Sequence, residues 1–293
     1  MKQKHFLLLL IMALPFVSKG QDTLRFYFDE YWKPTSDYLA HYYRDMYKSG
    51  SLWTITDYYQ NGQVEMKGAS LTLNTDDKQG PFTYYYKNGN KQEEGNYNHG
   101  KRTGKWTWRY KNGAIESLGN YNANGELNGT WKSFYKNGQL RGSGNYKEGQ
   151  QVGQWKWYFN NGQKSAVEQY MNDSLQLAHY WNKDGSKLKN PKEAIQDFEF
   201  PGGQSSLRLY LLENISYPED IRNLGISGIV YVSFIVGVNG SISDIRILRS
   251  PHQKLSEIVI ATIEKMPRWK PAKNHNIISE SKANLPVKFT LTE

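Results

Sequence analysis

Six glycines close almost the same phrase at an almost fixed spacing. Gly62 ends DYYQNG, Gly89 ends YYKNG, Gly113 RYKNG, Gly138 FYKNG and Gly162 YFNNG, while Gly185 ends a degenerate NKDG. The steps between them are 27, 24, 25, 24 and 23 residues. A period of this length calls for an array of like units, each too small to bury its own apolar face and therefore stacked on its neighbours. Asn-Gly is the favoured central pair of a two-residue type I′ turn, whose two positions both need φ > 0, so each phrase predicts a hairpin tip of that type. Ahead of the tips, bulky residues fall at every second position: Phe82/Tyr84/Tyr86, Trp106/Trp108/Tyr110, Trp131/Ser133/Tyr135 and Trp155/Trp157/Phe159. Period two places each set on one strand face. Gly-Asn-Tyr follows at 95–97, 119–121 and 144–146, then a Gly-containing turn leads to the next aromatic strand.

One unit is thus strand, tip, strand and second turn, and the pattern covers residues 50–185. This phrase and its return strand resemble the MORN-type repeat in its bacterial variant. The end units are atypical, with Ile55 for the first aromatic and Lys183-Asp184-Gly185 at the last tip, as suits the caps of an array. Residues 21–49, with YFDEYWKP and YYRDMY, are expected to supply one or two leading strands, with Arg44 and Asp45 as a local ion pair. Alternation shows which residues share a face and not what covers it. Two readings of the aromatics stay open: packing within the array, or a row that grips a glycan, a lipid headgroup or a peptide.

From about residue 186 the period stops, and 186–199, polar and carrying Pro191, reads as a linker. Beyond it the pattern changes. Leu207, Tyr210 and Leu211 have helical spacing over Ser206–Asn214, and Tyr217-Pro218 opens a short helix with Pro at its first position and Gly225 at its end. Val230, Val232, Phe234 and Val236 alternate along Gly228–Val238, Asn239-Gly240 reads as another type I′ tip, and Ile242–Arg249 returns as the partner strand. Leu255, Ile258, Val259, Thr262, Ile263 and Met266 form one apolar helical stripe ended by Pro267, and Asn284–Leu291 is a last strand. The fold class is therefore mostly β: stacked antiparallel hairpins, then a small α+β domain over 200–293 with helices on one face of an antiparallel sheet.

That second region resembles the C-terminal domain of TonB-type energy transducers. The resemblance rests on FPGG at 200–203, YP at 217–218, Gly225 and Gly228 flanking IS, VYVSFIVGVNGSI, RS at 249–250, MPRWKPAK at 266–273 and LPVKF at 285–289. The family's usual WKPG followed by NG is altered here by Ala272 and by His275-Asn276, which changes one loop. The repeat array stands where such transducers carry a Pro-rich spacer. The resemblance implies binding by strand addition, in which a sheet edge pairs with an extended segment of an outer-membrane transporter or another envelope protein, main-chain hydrogen bonds giving the affinity. The partner-binding residues it implies are Tyr217, Pro218, Leu285, Pro286, Lys288 and Thr290. Proline cannot donate to a ladder, so Pro286 sets the phase of the last strand: Lys288 and Thr290 turn their backbone groups to the open edge, while Val287, Phe289 and Leu291 bond inward and pack under the helices.

The first twenty residues read as a secretory signal: Lys2 and Lys4, an apolar stretch Phe6–Val17, then Ser18-Lys19-Gly20 before Gln21. Its twelve apolar residues fall short of the roughly 20 that span a bilayer. The expected location is the periplasm or envelope after cleavage, or the inner membrane if the signal stays as an anchor. There is no Cys, hence no disulfide framework and no thiolate chemistry. The net charge of +9 is spread along the chain without a basic run, so nucleic acid is not an expected partner.

Gly95–Arg102 comes near a phosphate-binding loop, but Arg102 stands where a Ser or Thr hydroxyl is needed and the stretch is a repeat's return strand. The six His show no metal-ligand spacing, and there is no G-x-S-x-G or H-E-x-x-H. Catalytic residues, cofactor and metal are thus expected to be none. The expected function is that of an exported TonB-like binding protein, not an enzyme, acting in transmembrane transport. The alternative is an envelope scaffold whose aromatic repeats bind glycan, lipid or protein.

Overall fold

The computed structural model of the chain describes residues 23–291, so the expected signal segment and its cleavage point lie outside the described residues. Thirteen strands pair in sequence order as one meandering sheet. They are β1 (Leu24–Phe28), β2 (Tyr42–Ser49), β3 (Leu52–Tyr59), β4 (Val64–Ser70), β5 (Gly80–Tyr85), β6 (Lys91–Asn98) and β7 (Lys101–Arg109). After these come β8 (Ile115–Tyr121), β9 (Leu127–Phe134), β10 (Leu140–Lys147), β11 (Gln150–Tyr158), β12 (Lys164–Met171) and β13 (Ser174–Tyr180). Two compact units divide the chain: one runs up to Gly162 and includes Glu168–Leu177, the other comprises Gln163–Val167 and Ala178 onward.

The Asn-Gly tips are hairpins, but not of the expected turn type. Tyr59 N–H donates to Gln63 O at 2.8 Å, and Tyr59 O accepts from Gly62 N–H at 2.8 Å. The same pair of bonds recurs at Tyr86, Tyr110 and Tyr135. The tip glycines Gly62, Gly89, Gly113, Gly138 and Gly162 have φ between +83° and +87°, whereas none of the Asn before them has positive φ. This is a three-residue loop, a type I turn followed by a left-handed glycine that forms a bulge. The Asn side chain accounts for the choice: Oδ1 of Asn61, Asn88, Asn112 and Asn137 accepts from the N–H two residues on, at 3.1–3.2 Å. Type I′ geometry lies at the opposite ends of the strands, in His99-Gly100 and Glu148-Gly149, where both residues have positive φ.

The repeated phrase also fastens each hairpin to the next. The hydroxyls of Tyr59, Tyr86, Tyr110 and Tyr135 donate at 2.7 Å to the carbonyls of Tyr85, Arg109, Phe134 and Tyr158, one unit further on. Asn88 Nδ2 reaches Lys111 O at 2.9 Å in the same sense. The glycine of each Gly-Asn-Tyr has a different task, to leave room for a ring. A Cβ on Gly95, Gly119 or Gly144 would lie 2.2, 2.1 or 2.0 Å from the indole of Trp106, Trp131 or Trp155. Each of these indoles donates to the Asn carbonyl that follows its glycine, at 3.1–3.3 Å, and meets a Tyr edge-on. Trp106 and Phe82 are fully buried, together with Met46, Ile55 and Met66. Packing is thus what most of these aromatics do. In the last unit Glu168 replaces the glycine, and its buried carboxylate accepts from Trp157 Nε1 at 2.9 Å and Tyr170 OH at 3.0 Å.

Arg44 does not pair with Asp45. Neighbours on a strand face opposite sides, so Arg44 grips Asp57 across the sheet with two 2.6 Å bonds, and Arg25 holds Asp45.

The C-terminal unit carries α1 (Gly203–Asn214), α2 (Glu219–Asn223), β14 (Gly228–Val236), β15 (Ile242–Arg249) and α3 (Gln253–Glu264), then β16 (Ala272–Asn274), β17 (Ile277–Ser279) and β18 (Ser281–Phe289). Its sheet order is β15-β14-β18. Val230, Val232, Phe234 and Val236 of β14 are buried with Leu255, Val259 and Ile263 of α3 and with Val287 and Phe289 of β18.

Several boundaries differ from expectation. α1 starts at Gly203, because Gly202, at φ +82°, forms its N-cap. Pro218 is extended and caps α2 instead of being its first residue. The Asn239-Gly240 tip has the same three-residue bonding as the array tips. A small hairpin, β16–β17, turns on His275-Asn276, both at positive φ, where the altered loop was expected. Residues 186–199 are not a free linker: Gln196 and Lys273 exchange backbone bonds at 2.8 and 2.7 Å, Glu199 and Lys270 do so at 2.9 and 2.8 Å, and Ala194 is buried. β18 ends at Phe289, so Leu291 lies past the strand and is 43% exposed instead of packed under a helix.

Candidate partner-binding groove

β18 alternates Ala283, Val287 and Phe289 inward with Lys282, Asn284, Pro286 and Lys288 outward, which fixes its register against the buried valines and Phe234 of β14. β14 lies between β15 and β18, so among the described residues β18 pairs on one side only. Pro286 stands opposite Tyr231. A proline offers no N–H, so this pair is a non-hydrogen-bonded one. The backbone groups of Asn284, Pro286 and Lys288 therefore point away from β14, to the open edge.

That edge forms one wall of a groove of about 500 Å³, made by Leu285 through Thr290. α1 forms the other wall with Leu207, Arg208, Leu211 and Leu212, and Ile215 and Tyr217 close one end. Tyr217 is held from both sides. Its hydroxyl donates to Ile226 O, and its ring meets Phe289 edge-on at 5.4 Å between centroids. It thereby anchors the last inward residue of the edge strand. Among the described residues the charged side chains on the lining are Arg208 and Lys288, so the groove is apolar with a cationic rim.

Tyr217, Leu285, Pro286, Lys288 and Thr290 come together here. Pro218 does not: it lines a separate cleft against α3 with Tyr210, Asn214 and Ile258. The reason is local, since Pro218 is extended and turns the chain into α2. The wall supplied by α1 escaped sequence reading. Its signal is Leu212, which lies off the stripe of Leu207, Tyr210 and Leu211, stays exposed and lines the groove.

Known proteins match both units. Residues 213–291 match the family described as Gram-negative bacterial TonB protein C-terminal. Four stretches, 78–99, 102–123, 127–148 and 151–172, match the MORN repeat variant. The chain is thus TonB-like at its C-terminal end and MORN-like in its array. The solution structure of the Helicobacter pylori TonB C-terminal domain aligns with 30% of this chain and 94% of that chain, at 22% identity and a TM-score of 0.24. No curated protein matches. Among the described residues no helix is long and apolar enough to cross a membrane.

Proposed function

We propose that the C-terminal unit is a docking domain of the cell envelope that takes up an extended segment of an outer-membrane transporter, or of another envelope protein, as a fourth strand on β18. The role is binding without catalysis, exercised outside the cytoplasm. The observation that carries this reading is the open edge of β18, whose residues Leu285–Phe289, with Thr290 just past the strand, line a groove instead of meeting a neighbouring strand. Main-chain bonds to the outward groups of Asn284, Pro286 and Lys288 would supply affinity. Alternate side chains of the guest would enter the apolar space below Leu207 and Leu211, and the Arg208–Lys288 rim favours a segment that carries acid groups.

The test is a proline. Lys288 has the same phase as Pro286, so Lys288→Pro leaves the ladder with β14 intact and removes one outward N–H. It should weaken binding of a transporter-derived peptide about tenfold relative to Lys288→Gln, which removes the charge alone. Equal affinities in the two folded variants would rule out strand addition at this edge.

A further inference from the structure

In the array, one row of side chains runs across the strands in continuous register: Glu93, Trp108, Ser117, Ser133, Gly142 and Trp157. Around Trp108 the row is filled. Arg102 binds Glu93 at 2.9 Å and lies over the rings of Trp106 and Trp108, 4.3 and 5.4 Å from their centroids. The ring position recurs at a fixed offset before each tip glycine, and the cation is shared with the unit before. Lys78 and Tyr84 take the places of Arg102 and Trp108 in the unit before, with Lys78 Nζ 2.7 Å from Tyr84 OH. In the unit after, Trp157 leans over Gly142, where a Cβ would sit 2.2 Å from the indole.

The unit between them lacks the ring. Ser133 stands where Tyr84, Trp108 and Trp157 stand in the other units, Leu127 takes the position of Lys78, Arg102 and Gln151, and Ser117 that of Met66, Glu93 and Gly142. The space that ring would fill is a notch of about 500 Å³. Trp108, Tyr121 and Trp131, all half-buried, wall it, with the two indoles 5.3 Å apart. Ser117 and Ser133 lay hydroxyls along its floor, and Glu116 and Arg141 stand at its side. Arg141 Nε is buried and makes no hydrogen bond. An orphaned donor of this kind costs about 1–3 kcal/mol, so its persistence marks a place where a polar group is received.

We infer that this notch binds one pyranose ring of a sugar, free or within a glycan. The occupant must offer an apolar face to indoles and acceptors to a buried guanidinium. It must also tolerate a carboxylate beside that guanidinium, which disfavours an anion. An aliphatic or aromatic side chain would leave Arg141 Nε unmatched. A sugar ring meets all three conditions, with axial hydrogens on one face and hydroxyls around its rim.

Methyl β-glucopyranoside, maltotetraose and chitotetraose serve as probes of the full chain, by saturation-transfer NMR and calorimetry. At least one is expected to bind. Ser133→Trp restores the ring of the neighbouring units and should lower affinity about tenfold or more without lowering the melting temperature. Arg141→Gln, which puts in the residue of the equivalent Gln92, should lower it about fivefold. A tetraose bound about tenfold tighter than the methyl glycoside makes the source a glycan, and equal affinities make it a free sugar. If Ser133→Trp does not fold, Arg141→Gln decides alone. Binding unchanged in the folded variants, or no sugar bound at about 10 mM, overturns the inference. So does binding of phenol with no sugar bound.

Discussion

Trp106 in the array and Phe234 in the C-terminal unit are both fully buried, but they are buried by different company. Trp106 lies on Gly95 and touches Tyr97, Trp108 and Tyr121, all within one unit of its own position. Phe234 shares its core with buried residues from Phe200 to Phe289, drawn from two strands and two helices, and Trp269 meets it edge-on at 5.5 Å. The array is therefore a chain of short-range agreements, whereas the C-terminal core is a single long-range one. Damage should spread accordingly: to the neighbouring hairpins in the first case, through the whole unit in the second.

The sharpest break of this contrast is Phe234→Ala. It should cost about 3–5 kcal/mol and abolish the cooperative transition of the C-terminal unit. Calorimetry should show the array's transition in place; if both transitions move together, the two units do not unfold separately.

Next in size is Gly95→Ala, whose methyl would collide with the Trp106 ring. A loss of about 1–3 kcal/mol is expected, and hydrogen exchange should locate it in β5–β8 while β10 and β11 keep their protection. Loss of protection throughout the sheet would contradict the picture of local agreements.

Tyr110→Phe removes one fastening between hairpins and leaves Phe134 O without that donor. About 0.5–1.5 kcal/mol is expected from urea unfolding of the array, with no change in the C-terminal unit.

The gentlest test uses pH. Burial, with Asp57 and then Glu93 adding to it, pushes the Glu65 carboxyl up to about 7 against the opposing pull of Arg44 and Lys78. The folded protein thus holds this proton more tightly than the unfolded chain. The stability it gives is complete below the ordinary value of 4.5 and is lost as pH rises through about 7. Glu65→Gln should leave the array's melting point unchanged at about pH 4 and raise it at about pH 8. An equal shift at both pH values would refute the assignment.

The parts of this molecule that depend on period were open to reading from the residues. Alternation at Trp106/Trp108 and at Val287/Phe289 placed the strands and the last edge, since a slip of one residue would turn each ring to the wrong face. Turn type was not readable in the same way. Asn-Gly serves both two-residue and three-residue loops, and the choice depends on how far Tyr59 and Gln63 stay paired, which is a property of the strands. The α1 wall of the groove and the binding of 186–199 were hidden for a like reason. Both arise from chain segments meeting across distance, as Gln196 meets Lys273, and neither leaves a local pattern. Ser133 was visible as an exception to its set, but that the small Ser117 lies directly across from it appears only when strand register lays the two together.

The tyrosine fastenings have a direction. Every one donates from an earlier hairpin to a later one. A series of head-to-tail bonds of this kind is a polymer grammar: any further hairpin that offers a carbonyl at the right place could be joined on, whether from the same chain or from another. Phe159 stands where the next tyrosine would be, and it has no hydroxyl. A single missing oxygen thus ends the donor series with the fourth link, while β12 and β13 carry the sheet on beyond it. Phe159→Tyr would add a fifth donor toward the strands that already follow, so the run of fastenings and the number of strands are written separately in the sequence.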